Sequence, residues 1–361
     1  MKYSCKIDCF WFTYFIIRFF YLLFAILVFG RISTLGDTQR YLGAGINFTI
    51  SIFYNSTSLM DCIGGLIGTL FGGTNIISNF PFMMISFWIV KWTINELNLR
   101  KFVNSSFLLV LISLPNFCIW TSVCSKEIFG LAFSAIFGVL LINFFNRKYQ
   151  VRKRDFLALY LCLLFKPQYF PFILQALILV YVINEKFKTP EGKLGVGVFF
   201  IGCNLLGLYL MRDLVNEYAD MMYIHFSLDS AESTRDNIWL QKDDFFRKAP
   251  LGMLEAFYGP TLSEMVMKPS HLVAGLESLF MIGLFIYLCR KIFFHFLVRA
   301  KVHAMFFSVY SIIIVGICFL HYPFGIFNPG SAIRYRTNFI FLFMLLFLNI
   351  YVFYKKKAQQ N

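Results

Sequence analysis

Four polar groups interrupt an otherwise apolar chain, and each could do chemistry. In Gly36-Asp37-Thr38-Gln39-Arg40-Tyr41 a carboxylate lies beside an arginine and a tyrosine. Asp37 can serve as general base or metal ligand; an Asp ahead of Thr-Gln-Arg can equally cap a helix. Trp120-Thr121-Ser122-Val123-Cys124-Ser125-Lys126-Glu127 reads as a tight turn. Its Lys126 and Glu127 either end two helices in the headgroup region or point their charges into a cavity. In Lys166-Pro167-Gln168-Tyr169 the proline breaks a helix, and the lone ammonium either snorkels to the interface or meets an anionic ligand. Arg334-Tyr335-Arg336 follows Asn328-Pro329-Gly330-Ser331. Two arginines separated by an aromatic suit bidentate phosphate contact, or else anchor a helix at the interface.

These groups need a scaffold, and composition names it. The chain has 361 residues, 58% of them apolar, only 14% charged, with Phe alone occurring 47 times. Soluble domains carry roughly 25% charged residues, so too little polar material is present to cover a water-facing surface. Runs such as 128–145 and 337–354 approach the ~20 residues that cross a bilayer. A soluble enzyme, a disordered chain and a secreted disulfide scaffold are excluded. The fold class is all-α: one integral membrane domain, 1–361, a polytopic bundle of about ten transmembrane helices.

Hydropathy places the crossings at 10–30, 77–94, 105–123, 128–145, 156–165 paired with 170–184, 194–211, 273–289, 304–321 and 337–354. The first is longer than a signal-peptide core and lacks a small-residue cleavage site. With the N-terminus in the cytoplasm, the cytoplasmic loops hold 19 of the 33 basic residues against five acidic ones, an excess equal to the whole net charge of +14. This is the positive-inside pattern, and it accounts for the basic chain without nucleic acid. Both termini then face the cytoplasm. The weak joint is 156–184, whose halves are short. A single kinked helix there would turn the basic patch at 290–301 and the Lys355-Lys356-Lys357 tail outward, so a hairpin turning near the outer surface is expected.

Two extracytoplasmic loops exceed a mere connector. The first, 31–76, holds amphipathic stretches at 38–46 and 61–71 that suit interfacial helices, and Gly64, Gly65, Gly68, Gly72 and Gly73 make the second flexible or re-entrant. The second, 212–272, carries most of the acidic residues, among them Asp243-Asp244, read as a solvated loop face. Arg18 lies in the body of the first span, where a charge costs roughly 2.5–3.5 kcal/mol; it should face the bundle and find a partner, and Glu277 could be that partner or line the cavity. The nine cysteines read as small hydrophobes, and His225, His271 and His321 stand isolated. No metal-ligand spacing appears.

On this topology Asp37, Lys126, Glu127, Lys166, Arg334 and Arg336 rim an outward-facing cavity. Cations on that side would hold a phosphate leaving group, a carboxylate would deprotonate an acceptor hydroxyl, and an apolar groove would hold a lipid. The arrangement resembles the C-type membrane glycosyltransferase superfamily. The resemblance is carried by Asp37 after the first span, the interfacial helices, Leu114-Pro115 with Trp120-Thr121-Ser122 and Lys126-Glu127, Lys166-Pro167, and Arg334-Tyr335-Arg336. Size, Phe-rich composition and the late outer loop are similar to bacterial O-antigen or capsule repeat-unit polymerases. The resemblance implies an enzyme of the bacterial cytoplasmic (inner) membrane, working outside on polyprenyl-(di)phosphate-linked glycans in surface polysaccharide assembly. Asp37 and Glu127 would be its catalytic residues, and Arg40, Tyr41, Lys126, Lys166, Gln168, Arg334 and Arg336 would bind substrate. Single-sugar transfer and non-catalytic transport of the same lipid-linked glycans are the alternatives. Its partners would be glycan donor and acceptor, the bilayer, and other assembly proteins. No cofactor is called for beyond a divalent cation at Asp37, beside which neither an Asp-x-Asp motif nor a second acid stands.

Overall fold

A computed structural model describes residues 8–228, 235–296 and 300–358, and these are 82% helical with no strands. Lys2, Lys6 and Arg299 of the inner basic set lie outside them. The helices of six or more residues are α1 (Cys9–Ile32, with a π-helical turn at Ala25–Phe29), α2 (Thr38–Gly43), α3 (Ser56–Phe71), α4 (Ile76–Glu96), α5 (Ser105–Ile112) and α6 (Pro115–Trp120). Next come α7 (Glu127–Phe145), α8 (Lys153–Phe165), α9 (Phe170–Lys186), α10 (Pro190–Leu210) and α11 (Arg212–Leu228). The rest are α12 (Asp244–Tyr258), α13 (Leu262–Met267), α14 (Pro269–Phe296), α15 (Ala300–Phe327), α16 (Pro329–Tyr335) and α17 (Thr337–Ala358).

Seven stretches among the described residues are long and apolar enough to cross a membrane: Cys9–Ile32, Glu127–Phe145, Pro167–Lys186, Pro190–Leu210, Pro269–Tyr287, Ala304–Phe327 and Thr337–Lys356. Three of the expected crossings are of another kind. The 77–94 span is a full 21-residue helix, α4, but Asn79, Pro81, Ser86, Lys91 and Thr93 dilute its apolar character. The 105–123 span is broken at Ser113-Leu114-Pro115 into α5 and α6, because Pro115 has no N–H for a continuing ladder. The 156–165 half is the short helix α8.

The chain forms two compact units, 1–139 with 156–165 and 337–361, and 140–155 with 166–336. In the first unit, α1 is 24 residues long, about 36 Å at 1.5 Å per residue. At its start Asp8 caps the helix and pairs with Arg100 at 2.5 Å. Lys355 donates to the Phe102 carbonyl at 2.7 Å, and Lys356 lies over the Phe102 ring at 4.7 Å. Both ends of the described chain therefore share one pole of this unit. At the other pole Thr38 donates to the Cys124 carbonyl at 3.1 Å, and the Cys124 N–H donates to Asn79 at 2.8 Å. Gly130 and Gly138 of α7 leave room for α17: a Cβ there would lie 1.7 Å from Asn338 Oδ1 and 2.9 Å from Leu345.

The second unit is sorted in the same way. Tyr149 donates to Glu185 at 2.7 Å, and Asn184 donates to the Phe144 carbonyl at 2.9 Å. Tyr149 and Glu185 therefore lie at one end of this unit. Ser308 of α15 bonds the Lys193 carbonyl at that same end, and the Arg235 N–H bonds the Phe327 carbonyl at the far end. Around that far end Trp239 and Phe245 of the late loop pack with Tyr322 and Phe327 of α15 in an aromatic core.

Within the first unit the glycines of α3 are packing residues, which corrects the flexible reading. A Cβ on Gly64, Gly65 or Gly68 would come 2.7, 1.8 or 1.9 Å from backbone atoms of Tyr41, Gly45 and Leu42. α2 thus rests on α3 backbone to backbone. Gly68→Ala is expected to push the two apart at a cost of about 1–3 kcal/mol, read as a lowered unfolding temperature of the detergent-solubilised protein.

Candidate functional site

The nominated residues divide between the units. The first holds Asp37, Arg40, Tyr41, Lys126 and Glu127, all at the pole away from its termini. Asp37 occupies the N-cap position of α2, but its carboxylate makes no capping bond. It accepts instead from the Tyr41 hydroxyl at 3.3 Å and lies 3.9 Å from Arg40 Nε. The same guanidinium stands 3.8 Å from Asp61 and 4.7 Å over the Tyr41 ring. Asp37 and Arg40 keep 42% and 51% of their side-chain surface open, so both can meet a ligand. Asp61, on α3, is a second acid that spacing gave no hint of, since 23 residues, α2 among them, separate it from Asp37 and only the glycine contact brings it back.

The Thr38–Cys124 bond ties this helix to the Trp120–Glu127 turn. Lys126 projects its ammonium to the hydroxyls of Ser56 and Thr57, at 3.1 and 2.8 Å, where α3 begins. Glu127 opens α7 and is buried; a carboxylate at a helix N-terminus is favoured by the peptide dipoles. Its position makes it a helix-starting charge enclosed by protein, and Asp37 is the open acid of the pair. Deeper, Arg18 finds its partner within its own unit: it donates to the Thr121 hydroxyl and carbonyl at 2.8 and 2.7 Å, and to Ser86. Glu277 is not that partner.

The second unit holds Lys166, Gln168, Arg334 and Arg336. The Lys166 ammonium sits 3.9 Å from the centre of the Tyr335 ring, and Arg334 reaches the Tyr335 hydroxyl at 3.3 Å. Lys166, Gln168 and Arg334 are all partly open. Arg336 is different: it is fully buried. Its guanidinium donates to the carbonyls of Gly259 and Ala274, both at 2.9 Å, and of Phe257 at 3.3 Å, as well as to Ser278 at 2.5 Å and Glu277 at 3.5 Å. Arg336 is spent on the fold, bracing α14 and the end of α12, so the pairing of Arg334 and Arg336 as one phosphate fork does not form. Spacing alone could not separate them.

Three further features were not legible in the sequence. His321 is buried against Phe257 with neither ring nitrogen hydrogen-bonded. Asp243 and Asp244 are not a solvated face: Asp243 accepts from Arg212 and Asn216, and Asp244 is buried, accepting from the Leu240 and Gln241 N–H groups and Lys248. Arg235 clamps the late loop through both oxygens of Glu264 at 2.6 and 2.7 Å and through Glu255 at 3.2 Å. Burial raises the Glu264 carboxyl, but the Arg235 guanidinium and the Thr261 N–H and hydroxyl together outweigh it and hold the group down at about 2. Beside this clamp an apolar groove of 490 Å³ runs between α12, α14 and α15, lined by Met253, Tyr258, Leu279, Ile282, Val315 and Cys318.

Among the described residues no cluster of three or more His, Cys, Asp or Glu side chains is placed to hold a metal ion. The fold and these groups define an all-helical membrane protein. Comparison with protein-family models, curated proteins and solved structures yields no match.

Proposed function

We propose that the chain is a glycosyltransferase of the bacterial cytoplasmic membrane, acting on polyprenyl-(di)phosphate-linked glycans outside the cell as a repeat-unit polymerase of surface polysaccharide. One observation carries the reading: in each unit the nominated side chains that stay open, Asp37, Arg40 and Lys126 in the first and Lys166 and Arg334 in the second, gather at the pole away from that unit's basic loops. That pole is extracytoplasmic by the positive-inside pattern, and an about ten-span topology with both termini inside goes with it. In the first unit Asp37 takes the proton of the acceptor hydroxyl as it attacks the anomeric carbon. The carrier (di)phosphate then leaves with the bonding pair, its charge met by Arg40 and Lys126. In the second unit Lys166 and Arg334 flank Tyr335 as another place for an anion, and the 490 Å³ groove has the apolar lining a prenyl chain requires.

Two measurements test this. Membranes holding the protein are supplied with a polyprenyl diphosphate-linked oligosaccharide, and lengthened glycan is expected. Movement of the lipid-linked glycan across the bilayer without any lengthening would overturn the enzyme reading in favour of transport. Cysteines replacing Asp37, Lys126 and Arg334 in a cysteine-free background are expected to react with an impermeant thiol reagent from outside, and those replacing Lys153 and Lys356 are not. Outside labelling at position 153 would overturn the topology and the proposed side of action together.

A further inference from the structure

α11 begins one residue after α10 ends, with only Met211 between them. α10 is the least covered of the seven apolar stretches, with only 6% of its apolar window buried; a bilayer-spanning helix so little covered by protein faces lipid, and α11 starts where that surface stops. One flank of α11 packs inward through Val215, Ala219, Met222 and Tyr223 onto the aromatic core of Trp239, Phe245 and Phe327. A second flank carries Asp213, Asn216, Glu217 and Asp220, which line a 440 Å³ polar cleft with Gln241 and Lys242. The third flank is apolar and open. Leu214, Tyr218 and Met221 recur at four- and three-residue steps with 45, 55 and 45% exposure, and Leu210 and Met211 lead into them at 74 and 53%. Residues at such steps share one helix face.

We infer that α11 lies in the plane of the membrane, with Leu214, Tyr218 and Met221 seated in the outer leaflet of the bilayer. The occupant of this face is lipid because the face continues, across a single residue, a helix surface that already meets lipid. A helix with an apolar edge, a charged edge and low net hydrophobicity is the type that settles at an interface, and Tyr is at home at headgroup depth. The acidic edge stays in water, so the polar cleft opens at headgroup level. None of this depends on glycan transfer.

The full chain with Tyr218→Trp, reconstituted in phosphatidylcholine vesicles, tests it against the parent's five tryptophans. The added fluorescence is expected to be largely lost in vesicles with brominated acyl chains and to resist aqueous iodide. Met221→Trp, which gives an independent reading if the first variant folds poorly, is expected to behave alike, and Asp220→Trp to show the reverse. Iodide quenching without bromolipid quenching at both 218 and 221 would overturn the inference, since the face would then be free in water. Protection from both quenchers that grows with the protein-to-lipid ratio would overturn it too, by showing that a second copy covers the face.

Discussion

Asn at position 37 is expected to cut glycan transfer by about 10²–10⁴-fold, the usual worth of a positioned base, while leaving the yield of folded protein unchanged. The structure makes this substitution unusually clean. Asp37 makes no capping bond in α2, so no helix start is lost, and an amide oxygen still accepts from Tyr41. Arg40 keeps a carboxylate neighbour in Asp61 at 3.8 Å. The ability to take a proton disappears, together with the weak, exposed ion pair to Arg40 at 3.9 Å. The assay is polymer formation from the lipid-linked donor in membranes, compared with folded protein by size-exclusion in detergent. Asp37→Glu should retain part of the activity, since the base survives at a displaced position. Full activity in Asp37→Asn would assign Asp37 a structural role and leave the reaction without its base.

The other large effect is on stability. Arg336→Ala is expected to destabilise the protein by about 3–5 kcal/mol, because removing one member of a buried pair strands the other charge. Glu277 would be left in an enclosed site, and the carbonyls of Phe257, Gly259 and Ala274 would lose their donor. Unfolding temperature and recovery of monodisperse protein in detergent read the loss. The double change Arg336→Met with Glu277→Leu should regain much of it, since a buried pair replaced by apolar groups of similar volume is often neutral. Arg334→Ala makes the contrast: Arg334 is partly open and engages Tyr335, so folding should be unaffected and any loss should fall on transfer. An Arg336→Ala protein as stable as its parent would show that the guanidinium is not the brace described.

What could be read beforehand followed from periodicity and charge. The apolar, all-helical class depends on how residues are distributed along the membrane normal, and hydropathy reports depth. Azimuth around a helix is another matter. Arg18 and Glu277 looked like partners because both are charged and membrane-embedded, yet Arg18 turns to Thr121 and Ser86 while Glu277 turns to Arg336. Arg334 and Arg336 share a depth and differ only in the direction they face. The glycines of α3 misled for a related reason: absence of a side chain is equally consistent with a loose segment and with backbone contact, and only the partner at Tyr41–Gly45 decides. Asp61 and Ser56 were missed because loop closure, which joins them to Asp37 and Lys126, leaves no periodic trace.

The seat of α17 has a consequence for biosynthesis. Its counterpart surface, Gly130 and Gly138 on α7 with Phe117 on α6, is made about 200 residues earlier, which at ~5–20 residues per second is roughly 10–40 s of translation. Through that interval a notch shaped for Asn338, Phe341 and Leu345 stands without the side chains that fill it in the finished protein. The first unit is thus closed late, by a helix that must find a place already prepared.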